Sequence, residues 1–143
     1  MKQILLDTNA YTALLSGDVA VLEVLEAAEA VLVSIFVLGE LYAGFKGGSK
    51  EAANLALLES FLRKSTVHVL NATTETAAIF GGIKAALKKA GTPLPINDIW
   101  IAAHTVETSS SLVSYDRHFE KIIGLKIWPG GAGDLRRAGL DQG

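Results

Sequence analysis

Four acidic side chains stand at places where an α/β sheet would need them to build a site. Asp7 directly follows the short apolar run Ile4-Leu5-Leu6, and Asp116 follows Leu112-Val113-Ser114 after one intervening residue. Asp98 comes in the opening turn of a helical segment that starts after Pro95, and Glu40 sits one turn into another, among Val37, Leu38, Leu41 and Tyr42. Each acid alone has an ordinary reading. Asp7 and Asp116 suit turns, Asp98 suits the positive end of a helix dipole, and Glu40 can snorkel or pair with a lysine. Glu40 is expected to face the core side, where an uncompensated charge is costly. Gathered on one edge of a sheet, the four would repel one another. Hard divalent cations such as Mg²⁺ or Mn²⁺ are the natural neutraliser of such a set, which makes metal binding the predicted chemistry.

The elements that must position these acids are legible from hydrophobic spacing. Short buried strands are predicted at 4–6, 30–34, 67–70, 112–114 and 125–128, alternating with helices at 10–15, 36–45, 50–64, 74–90 and 96–108. Asp18 is predicted to cap a further helix that carries Val21, Leu22 and Leu25 on one stripe. Asn9 is read as the cap of the first helix and Asn97 as the cap of the helix containing Asp98. This order predicts a three-layer α/β/α fold with a short parallel sheet. In such sheets ligands bind beyond the carboxyl ends of the strands, which is where the acids fall. One domain is expected over 1–130, with 131–143 a loose C-terminal tail rich in Gly, Ala, Asp and Arg.

Composition narrows the function classes. The chain has 143 residues, 15 acids against 13 bases, and no cysteine, so a disulfide scaffold and a thiolate metal site are excluded. Half of it is hydrophobic and mean hydropathy is +0.34, which excludes a disordered tail protein. The longest uncharged apolar stretch, 30–39, is well short of the roughly 20 residues a membrane helix needs. An acid at position 7 comes too early for a signal peptide, so a soluble cytoplasmic protein is expected. The glycine-rich stretch 44–48 lacks a phosphate-loop pattern, so ATP binding is not expected. A net charge of −2 argues against nucleic-acid binding by bulk charge, yet setting the four acids aside leaves 11 acids against 13 bases. The slight acidity therefore reads as a concentrated metal pocket on a mildly basic body. Ala77, Gly81 and Ala85, and likewise Ala78, Gly82 and Ala86, recur every four residues and permit close helix packing in the core or across a dimer.

Four segments in series carry a resemblance. They are Ile4-Leu5-Leu6-Asp7-Thr8-Asn9; Val33-Ser34 with Gly39-Glu40-Leu41-Tyr42-Ala43-Gly44; Pro95-Ile96-Asn97-Asp98-Ile99-Trp100-Ile101-Ala102-Ala103-His104; and Leu112-Val113-Ser114-Tyr115-Asp116-Arg117-His118-Phe119. Over 2–128 the chain resembles PIN-domain ribonucleases, above all the VapC-type toxins of toxin–antitoxin pairs. Tyr115 departs from the family pattern, where a smaller or more polar residue is commoner. The resemblance implies metal-dependent hydrolysis of RNA phosphodiester bonds, leaving a 5′-phosphate and a 3′-hydroxyl. It implies that Asp7, Asp98 and Asp116 hold one or two Mg²⁺ or Mn²⁺ ions while Glu40 shares the site and orients water. Thr8 and Ser114 match hydroxyl positions that support the acids. It also implies a homodimer and a small antitoxin laid over an apolar groove, which the first two helices and the helix at 50–64 would supply.

Arg117, His118 and Lys84 are weaker candidates for substrate contacts. A solvated turn accounts for the first two, and a helix dipole accounts for a lysine-rich last turn. His104, on an apolar helix face, is expected to serve packing. Two other readings stay open on the residues alone. One is a non-catalytic PIN-fold RNA-binding or scaffold module, against which the retained acids argue. The other is a phosphatase with an aspartyl nucleophile on the first strand, which normally wants a second acid where Asn9 stands.

Overall fold

Strands covered on both faces must be apolar almost throughout, and Ile4, Leu5, Leu6, Leu112 and Val113 are all essentially inaccessible to solvent. The computed structural model describes residues 2–129. Its elements in chain order are β1 (Gln3–Leu6), α1 (Thr8–Leu15), α2 (Val19–Ala27), β2 (Ala30–Ser34), α3 (Ile35–Phe45), α4 (Glu51–Leu62), β3 (Val67–Leu70), α5 (Thr74–Ala90), α6 (Ile96–Glu107), β4 (Ser111–Val113) and β5 (Ile127–Trp128). A 3₁₀ turn at Arg117–Lys121 lies between the last two strands. The segment 131–143, expected to be a loose tail, lies outside the described residues.

The five strands are parallel and ordered β3-β2-β1-β4-β5. Leu5 pairs with Leu32 of β2 on one side and with Leu112 of β4 on the other. The chain winds outward from β1 through β2 to β3, then returns to the far side of β1 for β4. The switch point thus falls between β1 and β4, and their carboxyl ends open the crevice where a ligand has room. This is the predicted three-layer architecture, with helices packed on both faces of the sheet. Three strands differ from expectation at their ends, and β1 begins one residue earlier, at Gln3. β4 begins and ends one residue earlier because its register with β1 runs from Ile4↔Ser111 to Leu6↔Val113 and stops where β1 turns into α1. β5 keeps only Ile127 and Trp128, while Leu125 buries its side chain in the core ahead of the strand.

Side-chain caps set most helix starts. Asp7, not Asn9, caps α1, since its Oδ1 accepts from the amide of Ala10 at 2.7 Å. Asp18 accepts from Val21 at 3.0 Å and Ser34 from Phe36 at 3.1 Å. Thr73 and Thr76 form a reciprocal box at the start of α5. Asn97 does not cap α6. That helix enters from Pro95 with no side-chain cap, and Asn97 Nδ2 instead donates to the carbonyl of Phe36 at 3.4 Å, tying α6 to α3. The same junction carries a stack in which Trp100 lies between Phe36 and Phe80, with ring centroids at 4.9 and 4.0 Å. The small-residue rows of α5 are exposed, and a methyl group added at Gly81 or Gly82 would meet none of the described residues within 4 Å, so they are not core contacts among them.

Gly91 ends α5 with φ +73°, the left-handed conformation that lets the chain reverse through Thr92–Pro95 into α6. That reversal brings the first turn of α6, and with it Asp98, to the site edge of the sheet. Gly91→Ala should therefore cost about 1–2 kcal/mol, read as a lower urea midpoint at unchanged slope.

Candidate active site

Strand β1 ends at Leu6, and the next residue turns its side chain back over the carboxyl end of the sheet. Asp7 is only 4 % exposed. Burial of a carboxylate demands partners, and both oxygens have one. Oδ1 takes the Ala10 amide, while Oδ2 takes the hydroxyl of Ser114 at 2.5 Å. Ser114 follows β4, the strand hydrogen-bonded to β1, so the contact spans the switch point. Its Oγ also accepts the backbone amide of Asp116 at 3.0 Å. One hydroxyl thus fixes the Asp7 carboxylate and the turn that carries Asp116.

Three more elements close the site. Thr8 donates its hydroxyl to Glu40 Oε1, which joins α1 to α3. Glu40 is half-buried and lines the cavity, not the core as its neighbours suggested. Val37, Leu38 and Leu41 take the inner face of α3, and Glu40 falls between faces at the helical period, turned toward the strand ends. Asp98 enters from the first turn of α6. Asp7, Thr8, Asn9, Glu40, Asp98 and Asp116 line a cavity of about 190 Å³. All four predicted acids and Thr8 meet there, with Ser114 supporting from below.

His118 is more deeply involved than a solvated turn would be. Its Nε2 lies 2.9 Å from Asp98 Oδ2 and its Nδ1 lies 2.8 Å from Asp116 Oδ1. The His118 amide donates to the same Asp116 oxygen at 3.1 Å, an Asx turn that folds the ring back over the acid. The sequence signal was the Asp-x-His spacing, which a turn of this kind converts into contact. Donor atoms of Asp98, Asp116 and His118 all lie within 4.8 Å of one another. Arg117, by contrast, has a side chain 76 % exposed, and among the described residues it meets Glu120 at 3.5 Å. Lys84 lies outside the acidic cavity. It borders a separate one of about 250 Å³ with Lys88, Pro93, Leu94 and Ile99, at the junction of α5 and α6.

His104 serves packing, as expected. It is buried, with Nδ1 2.8 Å from Ser34 Oγ and Nε2 3.2 Å from the Asn71 carbonyl, and burial lowers its pKa. Tyr115, the departure in the fourth motif, swings away from the acids and donates to Asp18 Oδ2 at 2.8 Å, bracing the start of α2. The aspartyl-phosphatase reading lacks its second acid, because the position two residues beyond Asp7 is Asn9.

The electrostatics follow from crowding. Burial raises the Asp7 carboxyl above the usual aspartate range; the Ser114 hydroxyl and Ala10 amide oppose this, and the charges of Asp116 and Asp98 add to it. A set of carboxylate oxygens with hydroxyl support suits a hard divalent cation, and such an ion would relieve the same repulsion. Because the Asp7 pKa is raised on folding, its proton stabilises the fold at low pH, and that contribution is lost as pH rises through the folded value. Asp7→Asn keeps the cap and removes the charge. In metal-free protein it should melt at a higher temperature than wild type at pH 7, with the gap closing near the ordinary aspartate value of 3.8. Ser114→Ala should lower divalent-ion affinity by about 10–100-fold in a calorimetric titration, the usual cost of losing a group that orients a metal ligand.

The comparisons with known proteins agree with this geometry. The family model of the PIN domain matches residues 4–125. Ribonuclease VapC2 of Haemophilus influenzae is 40 % identical over 95 residues, covering 66 % of this chain and 70 % of the relative. The tRNA(fMet)-specific endonuclease VapC of Salmonella typhimurium is 34 % identical over 96 residues, covering 66 % of this chain and 71 % of the relative. Among solved structures, the DNA-bound VapBC of Salmonella typhimurium superposes with a TM-score of 0.77 at 30 % identity, covering 89 % of this chain and 97 % of the neighbour. By sequence as well as by geometry, the chain belongs to the PIN-domain family, on its VapC ribonuclease branch.

Proposed function

We propose that this chain is a metal-dependent endoribonuclease that hydrolyses RNA phosphodiester bonds and acts as the toxin of a type II toxin–antitoxin pair. The observation that carries the reading is the meeting of Asp7, Glu40, Asp98 and Asp116 at one cavity, at the switch point of a PIN-type sheet. Asp7, Asp98 and Asp116 are the residues that would hold one or two Mg²⁺ or Mn²⁺ ions. A divalent ion bound there supplies Lewis acidity to the phosphodiester and lowers the pKa of water. Asp7 needs no rearrangement to serve, because Ser114 and the α1 amide already fix it. Glu40, steadied by the Thr8 hydroxyl, is the group to orient the attacking water and take its proton.

Partners follow from exposed apolar surface and from the relatives. Leu15, Val19, Leu22, Tyr42 and Leu57 are all more than 40 % exposed, and they lie on α1 to α4, where an antitoxin segment is expected. The VapBC of Salmonella typhimurium was solved bound to DNA, and VapBC-5 of Mycobacterium tuberculosis is described as a member of the VapBC family of toxin–antitoxin systems. The exposed small-residue rows of α5 suit a homodimer contact, in which helices approach closely. No helix among the described residues is long and apolar enough to cross a membrane. A cytoplasmic site of action follows from the proposed RNA substrate and antitoxin.

The test is cleavage of single-stranded RNA by purified protein with Mn²⁺ or Mg²⁺. Cleavage is expected to stop with EDTA. Asp98→Asn should lower it by more than the roughly 100-fold that marks the upper end of outer-shell effects. Cleavage that survives both controls would belong to a contaminating nuclease and sink the mechanism. Absence of cleavage across a broad RNA panel, with Mn²⁺ bound, would favour the non-catalytic scaffold.

A further inference from the structure

A second cavity, of about 180 Å³, shares a wall with the acidic one. Tyr115, Arg117, Glu120 and Ile127 line it together with Ser114 and Asp116, and Asp116 lines the acidic cavity as well. Its distinctive surface is the ring of Tyr115, which is 46 % exposed. Two contacts hold that ring in place. Its hydroxyl donates to Asp18 Oδ2 at 2.8 Å, and the Trp128 ring stands beside it, tilted by 50° with centroids 6.0 Å apart. An aromatic ring that is half-open yet fixed loses little freedom when a flat partner arrives. The cavity is smaller than the roughly 300 Å³ at which pockets enclosing a whole small molecule begin, so it suits one planar group whose remainder stays outside. Charge narrows the occupant further. Among the described lining residues, Asp116 and Glu120 set their carboxylates against the guanidinium of Arg117, which disfavours a phosphate and admits a neutral ring.

We propose that this cavity is a nucleobase subsite for single-stranded RNA, in which a base next to the scissile phosphate stacks on Tyr115. The inference rests on the ribonuclease reading above and adds a contact to the base rather than to the phosphate. Because Asp116 is common to both cavities, a strand whose phosphate sits at the acids brings a neighbouring nucleotide to Tyr115. Unpaired bases offer their faces, and aromatic side chains bind them by stacking. Every base has such a face, so Tyr115 selects for an unpaired strand over a duplex, whose bases are buried in their own stack. Arg117 brings hydrogen-bond donors to the same wall. Tyr115 is also where the chain departs from its family's pattern, so the subsite belongs to this chain and not to the fold.

The experiment uses the full-length protein with Mn²⁺ and a single-stranded RNA that it cleaves, with the cut site mapped. The same RNA is then made with one abasic nucleotide at each position flanking the cut. Stacking of one base on an aromatic side chain is worth about 5- to 150-fold in affinity by alanine substitution. For wild type, kcat/KM should fall by that amount when the abasic nucleotide occupies one flanking position, a result that needs no mutant. Tyr115→Ala, checked for a cooperative thermal melt and unchanged Mn²⁺ affinity, should cleave intact RNA as poorly as wild type cleaves the abasic one. Removing the base as well should then cost this variant less than about twofold more. Tyr115→Phe keeps the ring without the bond to Asp18 and should restore sensitivity to the abasic position. Equal abasic losses in wild type and Tyr115→Ala overturn the proposal, leave the ribonuclease reading standing and assign the ring to a protein partner. Wild-type cleavage indifferent to every abasic position also overturns it. Failure of wild type to cleave any RNA overturns the ribonuclease reading together with it.

Discussion

The hydrogen bond from Ser114 to Asp7 joins the carboxyl ends of β1 and β4, the two strands between which the sheet changes direction. Much of the site hangs on it. Asp7 is the most buried of the four acids, and a carboxylate there is tolerated only because each oxygen accepts a proton from a fixed donor. Ser114 in turn accepts the amide of Asp116, so the same hydroxyl sets the turn from which Asp116 and His118 reach inward. Asp7 is also the cap of α1. A single side chain therefore ends a strand, starts a helix and supplies the deepest negative charge of the cavity.

That charge has consequences around the rim. Burial and the neighbouring acids raise the Asp7 pKa, so the metal-free protein carries an electrostatic strain confined to the strand ends. The apolar sheet beneath, with Leu5 paired to both Leu32 and Leu112, keeps the acids from spreading apart. Rigid placement of like charges is what an ion-binding site requires, since an arriving cation then meets donors already arranged.

Several elements were legible because local rules and tertiary demands agreed. β2 and β3 have their predicted bounds, and α5 spans its predicted range of 74–90. The errors lie where two local options competed. Asn9 and Asn97 are both good capping residues, but Asp7 sits closer to the strand end and Pro95 already opens α6, so Asn97 bonds across to α3 instead. Glu40 looked core-facing from its apolar neighbours. The helical period turns it instead to the edge where Thr8 meets it. Arg117 and His118 are adjacent in sequence, yet the 3₁₀ turn leaves one exposed and sets the other between two acids.

The sequence by itself determined the alternation of elements, the positions of the four acids just beyond strands or at helix starts, and the family. Those depend on periodicity, turn chemistry and residue order, which are local quantities. Only the tertiary structure decided which acid is buried, which hydroxyl holds which carboxylate, and that His118 joins Asp98 to Asp116. Asp7 and Ser114 are far apart in the chain, and their bond exists because β1 and β4 pair in one register. Contacts of that kind come from strand order, and strand order is a property of the whole sheet.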